Sequence, residues 1–288
     1  MEGITTVKAD TRMPRGLWLS LRSSLLTNKP MMAGTVILGL WVVLAVLSPL
    51  VVPHGPYETF RGMRLAPPSA EFPFGADSTG RDIMARVLYG FRYDIFIALS
   101  SIALGLLVGL LVGAIAATAG GWVDNAVMRV MDVFFAFPPF LLALMVAGAL
   151  GRNMFNLVIS VSVVFVPLYA RLIRGNMLKE QEKEYVEAAR SVGATRSRII
   201  LYHLLPNSVG PVITQSVMNV SWAIMTAAGI SFLGFGVQPP TPEWGLMISE
   251  GAAYIVSGEW WVSFFPGIAV FSLIAGLTLL DDGLRSRL

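Results

Sequence analysis

The sequence predicts an all-α membrane protein with six transmembrane helices, and two observations lead to that fold class. Of its 288 residues, 55% are hydrophobic and only 14% are charged, well below the quarter that soluble domains usually carry. About twenty consecutive apolar residues are enough to cross a bilayer as a helix. Six segments reach that length: 31–52, 94–118, 127–150, 154–173, 208–234 and 261–281.

Basic residues predict the orientation of these spans, because cytoplasmic segments of membrane proteins are enriched in Lys and Arg. With both termini in the cytoplasm, fifteen of the 21 basic residues fall on the cytoplasmic side. Residues 1–30 then form a cytoplasmic N-terminal segment, and 237–260, which contains no Lys or Arg, lies outside. The extracytoplasmic loop 53–93 argues the other way, because it contains five arginines: Arg61, Arg64, Arg81, Arg86 and Arg92.

The loop 53–93 is expected to contain a short helix at the membrane surface. Its first part is rich in proline, which favours irregular structure. Apolar residues then recur at helical spacing, and Asp77 or Ser78 is available as an N-cap. Such an amphipathic helix would lie in the membrane interface. Its apolar positions are Ile83, Met84, Val87, Leu88 and Phe91.

The segment 94–288 is expected to form a five-helix transmembrane core. Its third and fourth spans are separated only by residues 151–153, so they would form a tight antiparallel hairpin. Pro138, Pro139 and Pro167 lie within these two spans and would kink them, because proline removes a helix hydrogen bond.

The second span contains a doubled GxxxG pattern at Gly105, Gly109 and Gly113. Small residues at every fourth position let a second helix approach closely. We expect this contact within the chain itself, with a contact to another subunit as the alternative.

Several classes of function are excluded by motifs that the sequence lacks. It has no GxxxxGK[ST] phosphate loop, no HExxH, no GxSxG, no cysteine and only two histidines. No catalytic, cofactor-binding or metal-binding residue is therefore assigned, and the chain is not expected to be an enzyme. The net charge of +3 reflects membrane topology rather than nucleic-acid binding. The sequence also lacks the midplane ionisable residues of ion-driven carriers, so energy for transport would come from a partner.

A charged segment interrupts the apolar sequence between the fourth and fifth spans. We call residues 184–206 the insert, and they lie within a predicted cytoplasmic loop, 174–207. The first half of the insert has the spacing of an amphipathic helix with one narrow apolar face. That face comprises Tyr185, Ala188, Ala189 and Val192.

Gly193 follows this helix, and a glycine there favours a left-handed helix stop, where any side chain would be strained. Thr195 or Ser197 would cap a second short helix that Pro206 ends. Two short helices that meet at a glycine would form a compact docking element. The alternative is a solvated loop helix without a partner.

The insert resembles a known family at these residues. EAARSVG, followed after a fixed gap by LLP, is similar to the EAA loop in the membrane subunits of bacterial ATP-binding-cassette importers. The resemblance implies that the insert is a coupling helix, to which Tyr185 also belongs, and that it docks in a groove of a separate ATPase subunit. It departs at His203, where many members carry an aliphatic residue. The matching positions are Glu187, Ala188, Ala189, Gly193 and Pro206.

Further segments resemble the dipeptide, oligopeptide and nickel branch of that family, in particular its second (C-type) permease. These segments are FGADSTGRD (74–82), YGFRYDI (89–95) and SFLGFGVQPPTPEWGLMISEG (231–251). The resemblance therefore extends from about residue 74 to the end of the sequence. Ala76 replaces the threonine that is usual in that branch.

The resemblance implies a type I importer permease fold in the inner membrane of a bacterium or archaeon. The expected partners are a homologous second permease, two cytoplasmic ATPases, an extracytoplasmic substrate-binding protein and membrane lipid. The ATPases would bind ATP and Mg, and this chain would bind no cofactor. With the second permease it would form the translocation pathway for di- or oligopeptides.

Four residues of the fifth span are hypothesised to line that pathway, because their i, i+4, i+7, i+11 spacing places them on one helix face. Hydrogen bonding between buried helices is the alternative. The four are Gln215, Asn219, Trp222 and Thr226.

Other functions stay open at the level of sequence. A self-sufficient secondary carrier or channel would need no ATPase, and a non-transporting scaffold would use the insert only to recruit a protein. Within the resembling branch, di- or oligopeptides are the expected substrates and a nickel complex is the alternative. Glutathione-like compounds are also handled by this branch.

Overall fold

A computed structural model gives the fold and describes residues 28–285. This part of the chain is helical, with one isolated β-bridge and no strand, which confirms the predicted all-α class. Most of the predicted N-terminal segment, 1–30, lies outside the described residues. The helices are α1 (Lys29–Val51), α2 (Ile83–Ala119), α3 (Gly121–Ala136), α4 (Pro139–Leu150), α5 (Met154–Gln181), α6 (Glu184–Ser191), α7 (Arg196–Ile199), α8 (Leu205–Met218), α9 (Val220–Phe232), α10 (Trp244–Ala252) and α11 (Trp261–Arg285), and a π-helical turn (Ile200–Leu204) joins α7 to α8.

α2 is one continuous helix of 37 residues, so the prediction of a separate helix at the membrane surface is wrong. Residues 83–93 are instead the first turns of the second span. Their apolar side chains, among them Ile83 and Val87, are buried in the protein core. Residues 83–93 do form a helix with the predicted apolar face, but that face packs on protein rather than on lipid.

Asp82 is the N-cap of α2, which corrects the predicted cap at Asp77 or Ser78. Its carboxylate accepts a hydrogen bond from Met84 N at 2.8 Å. Asp77 instead accepts hydrogen bonds from the backbone and side chain of Arg81, at 3.0 and 2.6 Å. Asp77, Ser78 and Asp82 are all residue types that can cap a helix. The path of the loop decides which of them reaches the first turn of α2.

α2 and α5 pack against each other through the doubled GxxxG pattern, so the predicted contact within the chain is confirmed. A side chain at Gly105 would place its Cβ 2.9 Å from Phe165 Cβ, and one at Gly109 would lie 2.6 Å from Tyr169 Cβ. Gly113 meets the backbone of α5 one turn further along. Because the contacts advance in the same direction on both helices, α2 and α5 run parallel.

Two predicted spans are each divided between two helices. The third span forms α3 and α4, which are bent by 95° at Phe137 and Pro138, so the predicted proline kink is a break. The fifth span, 208–234, is divided at Asn219 into α8 and α9. Pro167 lies inside continuous α5. Among the described residues, four helices are long and apolar enough to cross a membrane, or five spans if α3 and α4 count as one, so six spans are not established.

Residues 53–82 and α10 lie together at one end of the molecule, which we call the loop end. Trp244 of α10 donates from Nε1 to the Val87 carbonyl of α2 at 2.9 Å. Arg86 Nη1 donates to the Pro240 carbonyl at 3.1 Å. The opposite end carries the insert beside the last turn of α2, and we call it the insert end.

α1 and α11 pack antiparallel and bring both ends of the described chain together. A Cβ at Gly34 would lie 2.5 Å from the Gly276 carbonyl oxygen, so the two backbones nearly touch. Asn28 Nδ2 donates to the Gly283 carbonyl at 3.4 Å. Because α1 reaches the loop end with its last turns, Asn28 and Gly283 lie at the insert end, the arrangement that two cytoplasmic termini would require.

Candidate functional site: the insert

The first helix of the insert, α6, ends in a Schellman motif. Gly193 has a left-handed φ of +79°, which confirms the predicted glycine stop. Gly193 N donates to the Arg190 carbonyl at 2.9 Å, and Ala194 N donates to the Ala189 carbonyl at 3.0 Å. These are the two hydrogen bonds that define the motif, and they fix the surface that α6 presents.

The apolar face predicted for α6 is largely solvent-exposed. Val192 is 84% exposed, Tyr185 and Ala188 are exposed, and Ala189 is half-buried. Val186 is fully buried and anchors the helix to the core. Since apolar surface gains about 25 cal/mol per Å² on leaving water, this face is suited to docking on another protein.

Charged residues surround this apolar face. Glu184, Glu187 and Arg190 are exposed, and within the described residues the Glu187 carboxylate has no ion-pair or hydrogen-bond partner. A small apolar centre with a polar rim is the usual anatomy of a protein–protein interface.

Tyr185 ties α6 to the neighbouring helices. Its hydroxyl donates to Glu180 Oε2 at 2.6 Å and accepts from Asn207 Nδ2 at 3.2 Å. Lys183 Nζ lies 2.6 Å from the other oxygen of Glu180. Burial and the hydrogen bond to Glu180 raise the pKa of the Tyr185 hydroxyl, so it remains a donor at neutral pH.

The second half of the insert differs from the prediction in how it ends. Thr195 is the N-cap of α7, with Oγ1 accepting from Arg198 N at 3.4 Å, as one of the two predicted alternatives requires. Pro206 does not stop the helix, because the chain continues from α7 through the π-helical turn into α8. Pro206 lies in the first turn of α8, a position where proline is tolerated.

Two side chains connect the insert region to the end of α2. Gln181 Nε2, at the end of α5, donates to the Ala117 carbonyl at 3.1 Å. The Arg196 guanidinium, at the start of α7, donates to the Thr118 carbonyl. The last carbonyls of a helix lack intrahelical donors, so these contacts complete the C-terminus of α2.

The four residues predicted to line the pathway do not form one exposed face. Trp222 is 45% exposed, whereas Thr226 is 3% exposed. Gln215 Nε2 donates to Asn219 Oδ1 at 3.2 Å, and Asn219 Nδ2 donates to the Tyr169 hydroxyl of α5, also at 3.2 Å. Asn219 therefore makes the interhelical hydrogen bond of the alternative interpretation.

A cluster of buried charges at the loop end was missed by sequence reasoning. Asp77 Oδ2 lies 2.6 Å from Arg81 Nε and 3.5 Å from Arg86 Nε, and Glu250 Oε2 lies 3.6 Å from a terminal nitrogen of each guanidinium. Burial alone would raise the pKa of Asp77, but hydrogen bonds from Arg81 and Thr79 and the two guanidinium charges hold that pKa below its ordinary value. The Asp-x₃-Arg spacing in FGADSTGRD was the available signal.

Four of the five arginines of loop 53–93 make contacts within the described residues, whereas Arg61 is exposed and makes none there. Arg81 and Arg86 neutralise buried carboxylates, Arg64 Nε donates to the Ser78 carbonyl at 2.8 Å, and Arg92 Nη2 donates to the Ala45 carbonyl at 2.6 Å.

Within the described residues, no group of three or more His, Asp or Glu side chains is arranged to hold a metal ion. His54 lies 3.3 Å from the Asp82 carboxylate and stacks on Phe72. His203 faces the Tyr185 ring at 6.2 Å. Both histidines thus have structural contacts.

Two known protein families match most of the chain. Residues 84–288 match the family described as binding-protein-dependent transport system inner membrane component. Residues 16–68 match the N-terminal transmembrane domain of oligopeptide transport permease C.

Several relatives are similar over most of their length. The chain is 36% identical to the dipeptide transport system permease protein DppC of Alkalihalophilus pseudofirmus, over 94% of this chain and 89% of that protein. It is 38% identical to the di/tripeptide transport system permease protein DppC of Pseudomonas aeruginosa, over 91% and 88%. It is 41% identical to the glutathione transport system permease protein GsiD of Pectobacterium atrosepticum, over 77% and 73%.

The fold is similar to that of a solved transporter, the MetNI methionine ABC transporter in an inward-facing conformation. The TM-score is 0.56 at 17% identity, over 71% of this chain and 97% of that chain. The likeness confirms the type I importer permease fold. Together with the family match over residues 84–288, it shows that the chain belongs to the binding-protein-dependent transport system inner membrane components.

Proposed function

We propose that the chain is one of two permease subunits of an ATP-driven importer for di- or oligopeptides. Relatives at 36–38% identity are dipeptide and di/tripeptide permeases, which supports a peptide substrate. A related glutathione permease keeps a glutathione-like tripeptide as the second candidate. In this function the chain performs no chemistry, and separate ATPases bind ATP and Mg.

The exposed apolar face of α6 is the observation that carries the proposed coupling. It is set by a Schellman motif, anchored by Val186 and left uncovered by the described residues. We assign Tyr185, Glu187, Ala188, Ala189 and Gly193 to the contact with the ATPase. Pro206 belongs to the helix that leads away from it. The insert end then faces the cytoplasm of a bacterial inner membrane, and the loop end faces the substrate-binding protein.

Substitution of Gly193 tests the docking. Gly193→Val should strain the left-handed turn by about 1–2 kcal/mol and displace α6, so less ATPase should co-purify with the permease. Gly193→Asn is the matched control, because asparagine tolerates this conformation and the site has open space around it. Equal co-purification in Gly193→Val and the wild type would refute the assignment.

Trp222 is the member of the proposed pathway set that tests it most directly. Its ring is exposed, whereas Gln215 and Asn219 are engaged in hydrogen bonds and Thr226 is buried. Trp222→Ala should change the uptake of labelled dialanine without changing ATPase co-purification. Uptake equal to that of the wild type would remove Trp222 from the pathway.

The energy source separates this proposal from a self-sufficient carrier. Proteoliposomes with both permeases, the ATPases and the binding protein should take up labelled dialanine or glutathione only with ATP. Uptake by this chain alone, driven by an ion gradient, would support a secondary carrier instead.

A further inference from the structure

The insert is joined to the rest of the molecule in two different ways. On one side, Arg196 of the insert donates to the Thr118 carbonyl at the end of α2, and Gln181, which precedes the insert at the end of α5, donates to the Ala117 carbonyl. These are charged or amide donors on backbone oxygens that the helix itself leaves unpaired. On the other side, the insert continues into α8 through the π-helical turn 200–204, and the Tyr185 hydroxyl accepts a hydrogen bond from Asn207 Nδ2 of α8 at 3.2 Å.

The side that faces α2 is the rigid one. α5 leads directly into the insert, and it is packed against α2 through Gly105, Gly109 and Gly113, where a Cβ would collide with α5. The route into α8 is less regular, because a π-helical turn widens the helix and α8 itself ends at Asn219. Closely packed helices move together, whereas irregular turns absorb displacement.

α2 extends from the insert to the cluster of charges at the loop end. Its 37 residues correspond to about 55 Å at 1.5 Å per residue. At its first turn Arg86 is paired with Asp77 of the loop and Glu250 of α10. A displacement of α2 at Thr118 would therefore reach both loop 53–82 and α10 at the loop end.

We propose that Gln181 and Arg196 are positioning residues that fix the insert to α2, so that movement of a docked ATPase is delivered through α2 to the loop end. The proposal rests on the proposed docking of the ATPase on the insert. It adds a specific route, in which the displacement reaches α2 through the hydrogen bonds of Gln181 and Arg196.

The experiment uses the whole transporter, co-expressed with its second permease and ATPases, with the partners' cysteines replaced. This chain has no cysteine, so Glu58→Cys and Val256→Cys, both exposed at the loop end, can carry a spin-label pair. The distance between the labels is measured by pulsed electron paramagnetic resonance before and after the ATPases are trapped with ATP and vanadate. ATPase co-purification is measured on the same samples.

Arg196→Met should leave co-purification unchanged. It should reduce about tenfold the fraction of transporters whose label distance changes, the ratio that matches loss of one charge-assisted hydrogen bond. Gln181→Met removes a neutral amide donor, so it should also leave co-purification unchanged and cause a smaller reduction. Arg196→Lys keeps a donor and should restore part of the response. Arg198→Met is the matched control, because Arg198 lies in the same turn and its side chain makes no hydrogen bond within the described residues.

Each other outcome decides against the proposal. A full distance response in both Met variants would show that the movement does not pass through the Gln181 and Arg196 contacts. No ATP response in the wild type would show that the movement does not reach the loop end. Loss of co-purification in Arg196→Met would mean that Arg196 contacts the ATPase itself. If Gly193→Val and Arg196→Met both leave docking and response intact, the insert is not the coupling element and the proposed function fails first.

Discussion

Arg92 shows why a charged side chain can lie against an apolar helix. Pro49 of α1 has no N–H, so the Ala45 carbonyl four residues earlier lacks its helical donor. Arg92 Nη2 donates to this oxygen at 2.6 Å, and Ser48 Oγ donates to it at 2.8 Å. A residue of α2 thus satisfies a backbone group that proline leaves unpaired.

A double-mutant cycle tests this pairing. Arg92→Met should lower the free energy of unfolding by about 1–3 kcal/mol, because a buried carbonyl loses a charged donor. In a Pro49→Ala background the restored N–H of residue 49 should donate to the Ala45 carbonyl. Arg92→Met should therefore lower the free energy of unfolding by less in that background. Thermal unfolding in detergent measures both. Equal costs in the two backgrounds would show that Arg92 acts elsewhere.

Glu243 is a buried carboxylate that caps α10. It accepts hydrogen bonds from Gly245 N at 3.0 Å and Leu246 N at 2.7 Å, and Asp94 accepts from the adjacent Trp244 N at 3.3 Å. Burial raises the pKa of Glu243 from 4.5 to about 7. The folded protein therefore binds this proton more tightly than the unfolded chain does.

Stability should consequently decrease as the pH rises from 4.5 to about 7, by at most about 1.4 kcal/mol per pH unit. Glu243→Gln should flatten this dependence, because the amide does not titrate. The exposed Glu71 supplies the control variant, Glu71→Gln, which should keep the wild-type slope. The melting temperature between pH 5 and pH 8 is the measurement, and an unchanged slope in Glu243→Gln would contradict the assignment.

At the scale of elements, the pair of α2 and α5 has no room for added side chains. Gly109→Ala would place a methyl group 2.6 Å from Tyr169 Cβ and 2.9 Å from the Val166 carbonyl oxygen. Both contacts are shorter than van der Waals distance, and neither backbone can yield without separating the two helices.

Gly109→Ala should therefore destabilise the protein by about 1–3 kcal/mol. Gly39 of α1 is the matched control, because nothing lies within 4 Å of a Cβ built there. Gly39→Ala should be neutral or stabilising by about 0.4–1 kcal/mol, since alanine restricts the unfolded chain. Melting temperatures in one detergent compare the two. Similar shifts would show that α2 and α5 are not closely packed.

At the scale of the whole molecule, the two ends differ in chemistry. The loop end holds Asp77, Arg81 and Arg86 in buried ion pairs, whereas the insert end exposes an apolar face with an unpaired Glu187 among the described residues. This difference suits a protein that closes a pathway at one end and docks a partner at the other.

Single cysteines test the orientation of these ends, since the native chain has none. Val192 and Val256 are 84% and 97% exposed and lie at opposite ends. A membrane-impermeant maleimide should label Val256→Cys in intact spheroplasts and Val192→Cys only after lysis. The reverse pattern would invert the proposed topology.

Local features were predictable because local sterics decide them. Gly193 adopts the left-handed stop, since a side chain is strained at its φ of +79°. The cap at Asp82 and the break at Asn219 were not predictable. The cap depends on the path of the loop before α2, and Asn219 is hydrogen-bonded to Tyr169 of α5, which is distant in sequence.

The sequence by itself determined the membrane class, the all-α fold and the first helix of the insert, because composition and 3.6-residue periodicity act over short stretches. Only the tertiary structure decided that α2 is continuous, that Arg81 and Arg86 are paired with Asp77 and Glu250, and that the insert is joined to α2. Those outcomes depend on which groups remain unpaired after the helices pack, as with the Ala45, Ala117 and Thr118 carbonyls. A buried backbone carbonyl needs a hydrogen-bond donor, and in these cases the donor comes from a part of the chain that local sequence patterns do not identify.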